Sequence, residues 1–146
     1  MLRPFNHRDR ETFLTLAKEF YSSPACLHEV PTENFERTFI EILNDSPYTK
    51  GYIFEIDGNV AGYALLSFTY SNEAGGMVCL LEEAYVIPKY QNNGLGTELF
   101  KFVEEHFPHV RRFRLEVTDV NERARALYQR LGYEELRYVQ MIKDFT

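Results

Sequence analysis

The 146-residue sequence predicts an α/β fold, in which amphipathic helices pack on a mixed sheet. Three observations predict it. Segments with a helical hydrophobic period alternate with short β-rich runs, in the order β-α-α-β-β-β-α-β-α-β. The Asp57-Gly58 dipeptide between two β-rich runs indicates an early hairpin. A strand-helix-strand succession late in the chain indicates a crossover connection that makes two strands parallel.

The first half of the chain predicts one strand, two helices and the hairpin. Phe13, Leu16, Ala17 and Phe20 recur at helical spacing and mark one apolar face of the first helix. A loop with two prolines separates it from a second amphipathic helix. The predicted ranges are strand 1–5, helix 9–21, helix 32–45, and strands 52–56 and 60–70.

The second half predicts a long apolar strand, a crossover helix and a C-terminal strand-helix-strand. Glu82 and Glu83 interrupt the apolar strand, and Gly132 is a predicted helix C-cap. The predicted ranges are strand 77–87, helix 96–107, strand 111–118, helix 121–132 and strand 133–145.

Composition restricts the function classes. A hydrophobic content of 45% over 146 residues suits a single domain, residues 1–146. The net charge of −6 argues against a nucleic-acid binder. The two cysteines and four histidines show no metal-ligand spacing, so we expect no metal. No signal peptide and no long apolar run is evident, so we expect no membrane association and a cytoplasmic location.

The stretch Gln91 to Thr97, QNNGLGT, predicts an anion site at a helix start. Unpaired N–H groups and the helix dipole favour anions there, and glycines let a ligand approach the backbone. A Walker A loop would need Lys after Gly96, and a dinucleotide fingerprint would need Gly or Ala at Leu99. The alternative is that both glycines only make a tight connection.

Two motifs resemble the GNAT superfamily of acyl-CoA-dependent N-acetyltransferases. Gln91 to Gly96 matches the family's pyrophosphate loop, Q/R-x-x-G-x-G/A. The second motif, N-x-x-A/S-x-x-x-Y-x-x-x-G-F/Y, is filled by Asn121, Ala124, Tyr128, Gly132 and Tyr133. The resemblance covers most of the chain. It implies a GNAT-like mixed central sheet of about six to seven strands, flanked by about four helices and splayed at the central parallel strands.

The resemblance implies acetyl-CoA as the cosubstrate. Backbone N–H groups of the glycine turn would hold the pyrophosphate, and a backbone N–H at Tyr85 or Val86 would polarise the acetyl carbonyl. The pantetheine arm would pair with the backbone of Ala84 to Val86 like an added strand. Asn121 would hydrogen-bond the pantetheine or the loop, and it can cap the following helix at the same time. The implied cofactor-binding residues are Ala84, Tyr85, Val86, Gln91, Asn92, Asn93, Gly94, Leu95, Gly96, Thr97, Asn121 and Ala124.

The resemblance also implies the catalytic groups. Tyr128 would be the general acid that protonates the leaving thiolate. An aliphatic amine has a pKa near 10, so roughly one molecule in a thousand is neutral at pH 7 and a general base is useful. Neighbouring strand residues point to opposite faces, so we expect one of Glu82 and Glu83 to face the cleft. By resemblance Glu82 is favoured as the base; the alternative is pairing with Arg112 or Arg114.

The acceptor is predicted to be a small amine, polyamine-like or amino-acid-like. The resemblance implies that the loop and helices after the first strand form the acceptor pocket, with the loop 70–76 beside them. Acidic and aromatic groups there suit a cation, and the candidate substrate-binding residues are Tyr21, His28, Glu29, Asn72 and Glu73. A peptide or protein acceptor is one alternative. A non-catalytic acyl-CoA-binding module is the other. Family members often pair, so a homodimer is also an expectation.

Overall fold

A five-stranded sheet in the order β1-β2-β3-β4-β5 organises the first part of the chain. The computed structural model describes residues 1–24 and 26–145, which form two units, Met1–Glu116 and Val117–Thr146. The strands are β1 (Leu2–Pro4), β2 (Thr49–Ile56), β3 (Asn59–Ser71), β4 (Gly76–Val86) and β5 (Arg112–Leu115). The helices of this unit are α1 (Arg10–Tyr21), α2 (Thr32–Leu43) and α3 (Leu95–His106). Within the described residues no helix has the length and apolar character that crossing a membrane requires.

The pairing confirms the predicted hairpin and the predicted parallel crossover. Strands β1 to β4 pair antiparallel in sequence order, and β5 pairs parallel with β4. Asp57 and Gly58 join β2 to β3 with φ of 51° and 78°. Two successive left-handed residues are the geometry that a two-residue type I′ hairpin turn requires.

Helices cover both faces of this sheet. On one face α1 and α2 enclose an aromatic cluster in which the Phe13 ring stacks on Phe39 and meets Tyr63 edge-on. On the other face α3 packs through Leu99 and Val103, which are fully buried. The sheet face covered by α1 and α2 holds the buried aromatic rings. On the same face, the last part of β4 carries the polar side chains of the candidate site.

Two irregularities in β4 position that site. The ladder with β3 pairs Leu66 with Leu81 and Leu65 with Glu83, so Glu82 is one residue in excess, a β-bulge. The parallel pairing with β5 covers only Val78–Leu81, while β4 continues to Val86. The β4 backbone beyond Leu81 therefore lies outside the parallel pairing with β5, as the predicted splay requires.

The second unit contains the helix α4 (Glu122–Arg130). The Asn121 side chain accepts a hydrogen bond from the Ala124 N–H at 3.2 Å, which caps the helix start. Gly132 has φ of 93°, and the Tyr133 N–H donates to the Tyr128 carbonyl at 3.0 Å. These features form a Schellman motif, so the predicted helix end at Gly132 is confirmed.

The predicted last strand, 133–145, is wrong: these residues form no strand. A strand exists only where another strand supplies its ladder hydrogen bonds, and the second unit contains no other strand among its described residues. The sheet thus has five strands, slightly fewer than the predicted six to seven. The strand predicted over 111–118 is also shorter, ending at Leu115.

Candidate active site

A cavity of about 470 Å³ lies between α2 and the sheet, in the first unit. Its walls come from one helix and three neighbouring strands, and seven of the eight lining residues have polar or charged side chains. The lining residues are Arg37, Thr38 and Glu41 of α2, Thr49 of β2, Leu65 and Ser67 of β3, and Glu82 and Glu83 of β4. A cavity of this size suits a small ligand.

Both members of the acidic pair line this cavity. The expectation that they point to opposite faces of the strand is wrong, because the bulge at Glu82 interrupts the alternation of side chains. The bulge thus brings two adjacent carboxylates to one wall. Within the described residues neither carboxylate forms an ion pair with Arg112 or Arg114, and Arg112 contacts Glu73 instead at 3.4 Å.

Glu83 is held by two tyrosines. The Tyr21 hydroxyl donates to one carboxylate oxygen at 2.5 Å, and the Tyr63 hydroxyl donates to the other at 2.7 Å. Burial raises the pKa of Glu83, and the Glu82 charge raises it further, while the two tyrosine hydrogen bonds oppose this shift. The tyrosines join α1 and β3 to β4 and fix the orientation of this carboxylate.

Glu82 is the more accessible carboxylate. Its side chain is exposed and accepts one hydrogen bond, from the Ser67 hydroxyl at 2.7 Å. Glu82 is therefore accessible to a ligand in the cavity. The two neighbouring carboxylates consequently differ in environment: Glu83 is oriented and desolvated, whereas Glu82 is exposed and held only by Ser67.

The glycine turn leads from β4 into α3 without a side-chain cap. Asn92 and Gly94 are left-handed, with φ of 66° and 75°, and α3 begins at Leu95. Among the described residues no side-chain cap is found at the start of α3, so its first N–H groups are available to an anion. The Gln91 amide donates to the Val86 carbonyl at 3.1 Å, and the Asn93 amide donates to the Tyr90 carbonyl at 2.9 Å. These side chains brace the turn.

The end of β4 lies unusually close to β3. A Cβ on Gly62 would stand 2.0 Å from the Tyr85 carbonyl oxygen, so only glycine permits this approach. The Tyr85 hydroxyl donates to Glu19 of α1 at 3.0 Å. Contacts on both sides thus fix the backbone of Ala84 to Val86, the segment expected to pair with pantetheine.

The structure brings only some of the predicted acceptor residues to the cavity. Tyr21 reaches it through Glu83. His28 and Glu29 are exposed in the loop between α1 and α2, outside the lining. Asn72 and Glu73 are exposed at the β3–β4 turn, about 20 Å along β4 from the carboxylates.

Sequence reasoning missed six polar residues of the cavity or its support. These are Arg37, Thr38, Glu41, Thr49, Tyr63 and Ser67. Alternation along β3 could have found the last two, because they lie two residues to either side of Leu65 on the same face. Arg37 and Glu41 could have been found by their spacing of one helical turn.

The remaining predicted residues belong to the second unit. Tyr128 is half-buried, and burial raises the pKa of its hydroxyl. The hydroxyl therefore keeps its proton at neutral pH and can act as a donor. Asn121 caps α4 and thereby occupies the Ala124 N–H.

Comparisons with known proteins agree with this geometry. The family model described as the acetyltransferase (GNAT) family matches residues 10–133. A mouse (Mus musculus) protein, thialysine N-epsilon-acetyltransferase, is 42% identical over 79 residues, which are 53% of this chain and 46% of that protein. The chain thus spans about half the length of the curated relatives it matches.

Solved structures show the same fold. A possible acetyltransferase from Clostridium difficile 630 superposes with a TM-score of 0.83 at 17% identity, over 100% of this chain and 97% of that one. AAC(6')-Iy, solved with the bisubstrate analogue CoA-S-monomethyl-acetylneamine, gives a TM-score of 0.80 at 22% identity. That match covers 100% of this chain and 98% of the other.

Proposed function

The chain belongs to the acetyltransferase (GNAT) family, and we propose that it transfers an acetyl group from acetyl-CoA to a primary amine of a small molecule. One observation carries this proposal. Strand β4 bears the two carboxylates that line the cavity, and the same strand leads into the glycine turn. One strand thus joins a polar cavity suited to an amine to an uncapped helix start suited to a pyrophosphate.

Acetyl-CoA is the proposed cosubstrate. The N–H groups at the start of α3 would hold its pyrophosphate, and space around Gly94 supports this, because a Cβ there would meet nothing within 4 Å. The pantetheine would pair with Ala84 to Val86, where β4 extends beyond β5. A backbone N–H of this segment would stabilise the oxyanion that develops on the thioester.

The proposed reaction is direct attack. The neutral amine nitrogen adds to the thioester carbon, the C–S bond breaks, and an amide forms. We propose that Glu82, directly or through a water molecule, takes the amine proton, since it is exposed to the cavity and held by a single hydrogen bond. Glu83, held by both tyrosines, would orient the ammonium form of the acceptor.

Tyr128 is the proposed general acid. The role rests on the second family motif, in which Tyr128 stands seven residues after Asn121. Burial raises the pKa of this hydroxyl, so the phenol carries a proton at neutral pH, and this is the proton that the leaving thiolate would take. The thiolate then leaves as free CoA.

The acceptor is proposed to be a small cationic amine. The cavity is closed on one side by α2 and carries three carboxylates against one guanidinium, which favours a cation. The mouse relative is named for thialysine, and a structural neighbour was solved with an acetylneamine analogue. Both names point to amines of small molecules. A homodimer and a cytoplasmic location stay predictions.

The proposal is tested first by titrating acetyl-CoA into the protein, with free CoA and NAD as comparison ligands. We expect micromolar binding of acetyl-CoA, no binding of NAD, and thiol release when amines are added. Binding of acetyl-CoA without thiol release from any small amine would favour a peptide acceptor or a binding module instead. If acetyl-CoA does not bind, the glycine turn is only a structural connection between β4 and α3.

Gly94→Val tests the turn itself. A branched side chain at a left-handed position strains the turn and fills the space above the backbone, so acetyl-CoA affinity should be lost. Gly58→Val is the matched control, because Gly58 has φ of 78° and equally open surroundings, in the β2–β3 turn. Acetyl-CoA affinity that falls equally in both folded variants would contradict our assignment of the turn.

A further inference from the structure

Glu83 is a desolvated carboxylate that has no cationic partner. Burial raises its pKa, and the Glu82 charge raises it further. Across residues 1–24 and 26–145, Glu83 takes part in no ion pair. A carboxylate in such surroundings takes up a proton unless hydrogen bonds stabilise its charged form. The anionic form of Glu83 therefore depends on the groups that donate to it.

Two phenol hydroxyls are these donors, one for each carboxylate oxygen. Tyr63 lies on β3, diagonally across the ladder from Glu83, whose direct partner is Leu65. The Tyr63 hydroxyl donates to Oε1 at 2.7 Å, and the Tyr21 hydroxyl, at the end of α1, donates to Oε2 at 2.5 Å. Burial and contact with Glu83 raise the pKa of both hydroxyls, so each keeps the proton that it donates.

Ring packing fixes the direction of both hydroxyls. The Tyr63 side chain is fully buried and meets the Phe13 ring of α1 edge-on, with the ring centroids 5.2 Å apart. The half-buried Tyr21 ring stacks on Phe35 of α2 at 5.5 Å. Side chains that packing holds in one rotamer can in turn hold a functional group in one orientation. The orientation of the Glu83 carboxylate is therefore set by β3 and α1 together.

We propose that Tyr21 and Tyr63 are positioning residues of the acceptor site: their hydroxyls hold Glu83 as an oriented anion, to which the ammonium group of the acceptor supplies the opposite charge. This inference rests on the proposed function and adds to it what keeps the ammonium-binding carboxylate charged in desolvated surroundings. Each carboxylate oxygen has two lone pairs, so Glu83 can accept from an ammonium group while both phenols still donate.

Neutral donors suit this role better than a cationic side chain. An arginine or lysine paired with Glu83 would repel the ammonium group of the acceptor, whereas a phenol stabilises the carboxylate and leaves its charge available. The other titratable groups around Glu83 come from the α1–α2 loop, from β4 and from the α2 wall of the cavity. They are the Cys26 thiol, whose pKa burial and the Glu83 charge raise to about 11, and Glu82, Arg37 and Glu41.

The charge of Glu83 can be measured directly by ¹³C NMR. In protein labelled at the glutamate carboxyl carbon, the Glu83 signal is the one absent from Glu83→Gln. We expect Tyr63→Phe to move the titration midpoint of this signal upward by about one pH unit, because it loses a hydrogen bond to a charged group. Tyr21→Phe should move the midpoint less, because water can replace the hydroxyl of a half-buried residue but not that of the fully buried Tyr63.

Steady-state kinetics with one small amine tests whether this charge serves the acceptor. Tyr63→Phe should raise the KM for the amine about tenfold at the acid end of the pH profile, where the variant has lost the carboxylate and the wild type has not. Its kcat and its acetyl-CoA affinity should stay close to those of the wild type. Tyr52→Phe is the matched control, because Tyr52 is also buried but its ring contacts Phe102 of α3, on the other face of the sheet.

A titration midpoint that both Tyr63→Phe and Tyr21→Phe leave unchanged would overturn this inference while the proposed function stands. The same holds if kcat falls in these variants and the KM for the amine does not change, or if Tyr52→Phe has the same effects. A wild type that binds acetyl-CoA and acetylates no small amine would overturn the proposed function and this inference together.

Discussion

Glu82 and Glu83 show how two adjacent identical residues acquire different chemistry. Glu83 accepts from two tyrosine hydroxyls and is desolvated, whereas Glu82 accepts from one serine and is exposed. A fixed orientation and open access to a ligand are different properties of a carboxylate, and this site divides them between two side chains. The division predicts different phenotypes for the same substitution at the two positions.

Glu82→Gln should lower kcat about 100-fold or more, the usual contribution of a general base, with acetyl-CoA affinity unchanged. Glu83→Gln should lower kcat less than about tenfold and mainly raise the KM for the amine, because Glu83 is proposed to orient the acceptor. Steady-state kinetics of both variants with one amine measures this. The reverse ranking would assign the base to Glu83.

The raised pKa of Glu83 predicts a pH-dependent stability. The folded protein holds this proton more tightly than the unfolded chain, whose carboxyl pKa is about 4.3. The stability that Glu83 contributes is therefore complete below that value and declines as pH rises through the raised pKa. Urea unfolding of wild type and Glu83→Gln across this window should show the wild type losing its advantage, with Glu33→Gln as the control. A pH-independent difference would contradict the shift.

Tyr128→Phe should lower kcat about 100-fold and leave acetyl-CoA affinity nearly unchanged, because it removes only the proposed proton donor. Tyr138→Phe, an exposed tyrosine of the same unit, is the control. Kinetics and titration are measured on the same preparations. Full activity in Tyr128→Phe would remove this residue from the mechanism.

At the scale of elements, the sequence predicts what is local. The hairpin at Asp57 and Gly58 follows from two residues that tolerate positive φ, and the α4 cap follows from Asn121 and Gly132. The bulge at Glu82 is not local, because it is defined only by the pairing of β4 with β3. The failed prediction of a strand over 133–145 has the same cause, since β-rich composition does not supply a pairing partner.

Gly62→Ala tests the close approach of β3 and β4. The new Cβ would stand 2.0 Å from the Tyr85 carbonyl oxygen, so β4 must shift where pantetheine is proposed to bind. We expect a lower melting temperature and at least about tenfold weaker acetyl-CoA binding.

Gly76→Ala is the control for this shift, because its Cβ would meet side-chain carbons of Arg111, and no backbone atom, at the other end of β4. Equal effects of the two substitutions on acetyl-CoA binding would show that the Gly62 contact is not special.

At the scale of the whole molecule, the C-terminal residues expose a run of large apolar side chains. Val139 and Met141 are 90% and 92% exposed, and Ile142 and Phe145 are also exposed. A run of this kind in a protein of net charge −6 is a candidate surface for self-association. It supports the expectation of a homodimer.

Val139→Lys should weaken self-association at least about tenfold, because burying an unpaired ammonium is costly. Sedimentation velocity over a range of protein concentrations measures the dissociation constant. Glu134→Gln, which makes the same change in net charge at an exposed position, should have little effect. A wild type that stays monomeric at every concentration would contradict the homodimer.

The bulge at Glu82 has a consequence for insertions and deletions. Glu82 shifts the alternation of side chains along β4 by one residue, since the β3–β4 pairing on either side of it is complete without that residue. Deletion of residue 82 would leave every partner of β3 in place and remove one carboxylate. A deletion a few residues earlier in β4 would instead turn the side chains between that deletion and Glu82 to the opposite face of the sheet. The presence of this one residue thus decides whether β4 is a regular strand or a strand that presents two adjacent carboxylates on the same face.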